Sequence, residues 1–180
     1  MAMKAFSAFL GEIQHQSEAY AEVVKQIARN NPANMRTVKD KAELARRREL
    51  ARELLKRNAE LMNFWSSAEV RLREKFREFG ASGDTAERMV SEFSTTFAKT
   101  LPTKRRIRVA DETMFKTIIS MCDLLEAEWV NWEVKEDELA FADDRDAVRY
   151  NELVNALKEA VQEQAAAQRQ VVEQLNELQR

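Results

Sequence analysis

The chain holds one histidine and one cysteine, so side-chain chemistry is sought first around those two. Glu12-Ile13-Gln14-His15 has the Glu-x-x-His spacing that puts two metal ligands on one face of a helix, with Glu18 as a third group. That chemistry needs a second such motif on another helix, and no second histidine exists. A zinc site made of His and Cys ligands is also beyond one subunit, because it requires about four such ligands. These residues are therefore expected as solvated polar groups beside an apolar stripe, and no metal or cofactor is expected.

Cys122 falls in phase with Ile118 and Leu125 on a helical stripe. A free cysteine in that setting packs as a small hydrophobe, and burial weakens the thiol as a nucleophile. Glycines stand only at 11, 80 and 83, which cannot form a phosphate-binding loop. A serine nucleophile elbow is also missing. The expectation is a protein that is not an enzyme. Trp65, Trp129 and Trp132 could form an aromatic site, but each lies on or beside a stripe of Leu and Phe, which points to packing.

Charge distribution is more informative. Residues 1–38 carry a net +1, residues 39–108 carry 18 basic and 11 acidic side chains, and residues 109–180 carry 7 basic and 17 acidic ones, within a total of −2. Arg46, Arg47, Arg48, Arg52, Lys56 and Arg57 form one basic run, and Lys104, Arg105, Arg106 and Arg108 a second. Such a surface can hold the phosphates of anionic lipid or nucleic acid. Against this, Glu43, Glu49, Glu53 and Glu60 are interleaved at helix-pairing distances. The acidic C-terminal half could also pair with the basic helix inside the fold.

The second lead is the C-terminal stripe. Tyr150, Val154, Leu157, Val161, Gln164, Gln168, Val171, Leu175 and Leu178 alternate by 4 and 3, the spacing of a coiled-coil seam. Beyond Lys158 this stripe is poor in large apolar residues. Val161, Gln164, Gln168, Val171, Leu175 and Leu178 are thus candidates for a face that a second helix, from another protein or another copy, would cover.

The elements that would carry these groups are helices. Three glycines and two prolines in 180 residues leave few turns and so require long elements. A first helix is expected over Lys4–Arg29, with Phe6, Leu10, Ile13, Tyr20, Val24 and Ile27 on one face, closed by Asn30-Asn31-Pro32. A second is expected from an N-cap at Thr37 to Phe79, about 65 Å if continuous, with Gly80 as its left-handed terminator. A third starts at a capping box formed by Asp84 and Glu87 and ends near Pro102. A fourth begins near Asp111 and carries Phe115, Ile118, Cys122, Leu125, Trp129 and Trp132. A fifth runs from about Ala147 to the end. The acidic segment 135–146 is either a break or the solvated middle of one long helix.

The expectation is an all-α, elongated antiparallel helical bundle of four or five long helices with a coiled-coil-like C-terminal helix. Residues 1–157 form the bundle and residues 158–180 an extension continuous with it. The core should centre on Phe64, Trp65, Leu72, Phe76, Phe93, Phe97, Phe115, Ile118, Leu125, Trp129 and Trp132. Residues 1–10 read as a helix start and not as a leader, no apolar run reaches the roughly 18 residues of a membrane span, and a single cysteine suits a reducing compartment. Together these point to a cytoplasmic, non-catalytic interaction protein: an adaptor, chaperone or assembly factor that self-associates or docks another helix. The alternative is a peripheral binder of membrane phospholipid or nucleic acid through segment 39–108.

Overall fold

A computed structural model describes residues 1–136 and 138–178, with the side chains of Gln26, Ile27, Ala28, Asn30 and Leu178 outside the description. Five helices account for most of the chain: α1 (Ala2–Asn30), α2 (Lys41–Ser66), α3 (Ala68–Glu78), α4 (Asp84–Ala127) and α5 (Asp144–Leu178). The expected all-α bundle is what forms. Ile27 and Leu178, both assigned to helix faces from spacing, lie outside the described side chains.

The helices alternate in direction. α1 runs against α2 and α3, α2 against α4, and α4 against α5, so α4 is the element that most of the others lean on. Two apolar clusters lie at opposite ends. At one, Phe9 stacks near Phe64 and meets Phe93 edge-on at 5.1 Å between ring centres, over Leu72, Phe76 and Val90. At the other, Met35, Leu44, Ala51, Ile118, Met121, Cys122 and Leu125 pack together. Phe64, Leu72, Phe76, Phe115, Ile118 and Leu125 are buried, whereas Trp65, Phe93, Phe97, Trp129 and Trp132 pack at the margins.

Several boundaries differ from expectation for identifiable reasons. Asp40, not Thr37, caps α2: its carboxylate accepts from the Glu43 N–H at 2.6 Å, while the Thr37 hydroxyl is taken by Arg47. The expected single helix over 37–79 is interrupted at Ser67, whose hydroxyl donates back to the Asn63 carbonyl at 2.9 Å and competes with the helical ladder. Gly80 does adopt the left-handed conformation, with φ +63°, and Ala81 N–H reaches the Phe76 carbonyl at 2.8 Å as a helix terminator requires. Asp84 and Glu87 sit in the first turn of α4, but Gly83 is the cap residue and no side chain caps it, so the capping box does not form.

The largest correction concerns Pro102. It stands inside α4, which runs unbroken from Asp84 to Ala127. Proline lacks the N–H that would reach the carbonyl four residues back. Here that carbonyl belongs to Ala98, and both residues are exposed, so water can serve it. At the other junction, β1 (Trp132–Lys135) pairs antiparallel with β2 (Glu138–Phe141), and this pair of strands separates α4 from α5. Trp132 lies edge-on to Trp129 at 5.4 Å and donates its indole N–H to the Leu125 carbonyl at 2.8 Å. α5 continues through Lys158 without a break.

Replacing Asp40 by alanine leaves the first N–H groups of α2 without their acceptor. The expected loss is about 1 kcal/mol, read as a lower urea midpoint with an unchanged slope; Thr37→Ala, away from the cap, should not reproduce a capping loss at the Glu43 amide by hydrogen exchange.

Candidate functional site

Between the two apolar clusters, at mid-height of the bundle, lies a buried polar group drawn from four helices. Its centre is Asp111 on α4, fully buried. One carboxylate oxygen accepts from the Tyr20 hydroxyl of α1 at 2.6 Å and from the Arg108 guanidinium at 2.9 Å. The other accepts from the Gln164 side-chain amide of α5 at 2.5 Å. Arg108, also buried, lies over the Tyr20 ring at 4.2 Å and near the Trp65 ring of α2 at 5.6 Å. Asn58 of α2 donates to the Arg108 carbonyl at 2.7 Å. One turn earlier, Lys104 places its ammonium 5.0 Å from the Phe97 ring and 5.7 Å from Trp65.

The electrostatics follow from burial. Removal from water pushes the Asp111 carboxyl upward, opposed by Arg108, Tyr20 and Gln164, which favour its charged form. The Tyr20 phenol is raised by burial and by the neighbouring carboxylate, so it stays a donor. Burial lowers Lys104. Arg108 Nε and Nη1 and Asn58 Oδ1 have no hydrogen-bond partner among the described residues. An ion pair this deep costs about as much in desolvation as it returns in attraction. Since Arg108 and Asp111 share α4, the contacts that reach other helices are the Tyr20 and Gln164 hydrogen bonds to the carboxylate and the Asn58 bond to the Arg108 carbonyl.

Sequence reasoning missed this cluster because Arg108 and Asp111 look like an exposed (i, i+3) pair. A signal was present. Stepping back by 4 and 3 from Phe115 lands on Asp111, Arg108 and Lys104, so these charges continue the buried stripe.

The basic candidates are scattered by the fold. Arg47 is buried, donating to the Asn34 carbonyl at 2.5 Å, to Thr37 and to Glu43, and so ties the loop before α2 to the helix. Arg48 bridges to Asp123 at 2.9 Å and to Glu126 on α4. Arg57 pairs with Glu53 and Glu60, Arg52 with Glu49, and Arg106 with Glu163 and Gln170 of α5. Arg105 reaches only the Ser66 hydroxyl at 3.5 Å. Arg46 and Lys56 are exposed and have no ion pair among the described residues. Basic and acidic segments do therefore pair across α2–α4 and α4–α5.

The expected C-terminal stripe is split by the fold. Ala160, Gln164, Ala167 and Val171 face inward, with Ala167 fully buried, while Val161, Gln168 and Leu175 are exposed. The buried alanines stand one place before the exposed Val161 and Gln168. Gln164 is spent on Asp111, not on an outside partner.

His15 is exposed, Glu12 pairs with Lys75 at 2.9 Å, and Glu18 accepts from Gln14. Among the described residues no three His, Cys, Asp or Glu side chains gather as a metal site requires. Burial pushes the Cys122 thiol up to about 11, so it is protonated near neutrality. Among the described residues no helix is long and apolar enough to cross a membrane. No family model, curated protein or solved structure matches this chain.

Asp111→Ala strands the Arg108 guanidinium in the interior, and the expected cost is about 3–5 kcal/mol. Pairing Asp111→Leu with Arg108→Met removes both charges and should return part of that loss, the remainder reflecting the Tyr20 and Gln164 donors left without their acceptor. Urea unfolding followed by circular dichroism compares the two; equal destabilisation would show that the pair itself, and not the orphaned charge, carries the energy.

Proposed function

We propose that this chain is a non-catalytic helical interaction protein, an adaptor, chaperone or assembly factor that works through exposed helical faces and self-associates. The observation that carries the reading is the position of α5. It packs chiefly on α4 and leaves Val161, Val172 and Leu175 between 43% and 58% exposed along its outer flank. Apolar side chains repeated along a two-helix layer are what a further helix covers. The polar groups that could do chemistry are instead held in structural contacts: Cys122 is packed, Asp111 and Arg108 are enclosed, and Glu12 is paired.

The alternative, binding to an anionic lipid or nucleic-acid surface, draws its support from Arg46, Lys56 and Arg105. The internal pairing of Arg47, Arg48, Arg57, Arg106 and Arg108 weighs against it, because a guanidinium already matched to a carboxylate is not available to neutralise a phosphate.

Light scattering across a hundredfold concentration range separates the readings. Self-association predicts a mass rising toward twice the 20.9 kDa chain and holding at high salt, since apolar burial drives it. A constant monomer mass, together with retention on anionic vesicles or duplex DNA that fades steeply with salt, would overturn this proposal in favour of the alternative.

A further inference from the structure

The side of the α4–α5 pair away from α2 carries a long open furrow. One stretch of about 440 Å³ lies between Pro102–Thr113 on α4 and Ala156–Glu163 on α5. A second, of about 580 Å³, lies between Ser120–Ala127 and Arg149–Ala156. Ala156 borders both, so the two hollows follow one another along the same face of the helix pair. Its floor is made of small or apolar side chains, including Ala110 and Ala160, with Val109 standing 56% exposed at the edge.

The rims have opposite charge. Arg105 and Arg106 stand on the α4 rim, Glu159 and Glu163 on the α5 rim. The Arg106–Glu163 contact at 2.8 Å shows that the two sets lie level along the bundle. Glu159 has no ion pair among the described residues, and Arg105 meets only a serine.

From this arrangement we infer that the furrow is the seat of a second copy of the chain, docked about a two-fold axis parallel to the helices. That rotation lays α4 of each copy over α5 of the other at equal height. It brings the arginine rim of one beneath the glutamate rim of its partner, twice over, as an isologous interface requires. An axis across the helices would instead lay each α4 over the partner's α4 and each α5 over its α5, and would forgo both arginine–glutamate matches. The four helices α4, α5 and their mates then close a bundle over an alanine-rich floor. The area is adequate: two helices side by side from Pro102 to Ala127 present a face of roughly 38 by 20 Å, about the 800 Å² per partner of a stable dimer. The small floor residues favour close helix approach, while the charged rims fix register and choice of partner.

This inference rests on the self-association proposed above, and its test separates the two. Thr113 and Ala156 line the furrow at matching heights on opposite helices. Chains carrying Thr113→Cys are mixed with chains carrying Ala156→Cys and oxidised; wild-type chain, whose Cys122 is buried, is the control. The docking predicts that the mixed disulfide dominates over either homodisulfide. It further predicts that Arg105→Glu or Glu159→Arg alone weakens the dimer by about tenfold, and that the two together restore it. A dimer by light scattering that gives no mixed disulfide, ignores the charge reversals and dissociates with Leu175→Glu would place the interface on the outer flank of α5. That result overturns the furrow and leaves self-association standing. A monomer at every concentration overturns both.

Discussion

The buried carboxylate of Asp111 is the point on which the arrangement of helices depends. A fully enclosed charge must find donors, and the ones it finds come from three directions: Tyr20 on α1, Arg108 on its own helix and Gln164 on α5. Asn58 holds the Arg108 backbone from α2. Apolar clusters at the two ends supply burial, and apolar attraction is non-directional. The polar cluster between them resists sliding, because a shift of one turn would carry the Tyr20 and Gln164 donors away from the buried carboxylate and leave them unpaired. It sets the height at which α1 and α5 stand against α4.

That constraint orders the rest. With α4 held at its middle, its N-terminal third packs on α3 around Val90 and Phe93, and its C-terminal third packs on α2 around Ile118 and Cys122. The length of α4 is what allows one helix to serve both clusters, and it is kept by placing Pro102 where its missing N–H faces solvent. α5, fastened by Gln164 and by Arg106–Glu163, covers one side of α4 only. The outer flank of α5 and the furrow beside it are consequences of a two-helix layer with nothing further to cover it.

Much of this was legible from residues. Scarcity of glycine and proline required long helices, Gly80 marked a true terminator, and the stripe from Phe115 to Leu125 is buried as its spacing demands. What was not legible came from tertiary context overriding a local rule. Pro102 reads as a stop because proline usually is one, and only its exposed side makes it tolerable. In α5 Val161 and Gln168 read as stripe residues from their spacing, yet the alanine one place before each is the buried position. The strand pair β1–β2 was hidden in acidic residues that look equally at home in a solvated helix. Arg108 and Asp111 were hidden because a charged pair at (i, i+3) is ordinarily a surface feature.

The claim that Asp111 joins α1 to α5 is tested most directly by a double-mutant cycle between Tyr20→Phe and Gln164→Met, each of which removes one donor while nearly conserving shape. The two residues meet only through the carboxylate between them. The account predicts a coupling energy of about 0.5–3 kcal/mol in urea unfolding, because the carboxylate deprived of one donor leans harder on the other. Strict additivity of the two losses would contradict it, and would mean that the helices are registered by their apolar clusters alone.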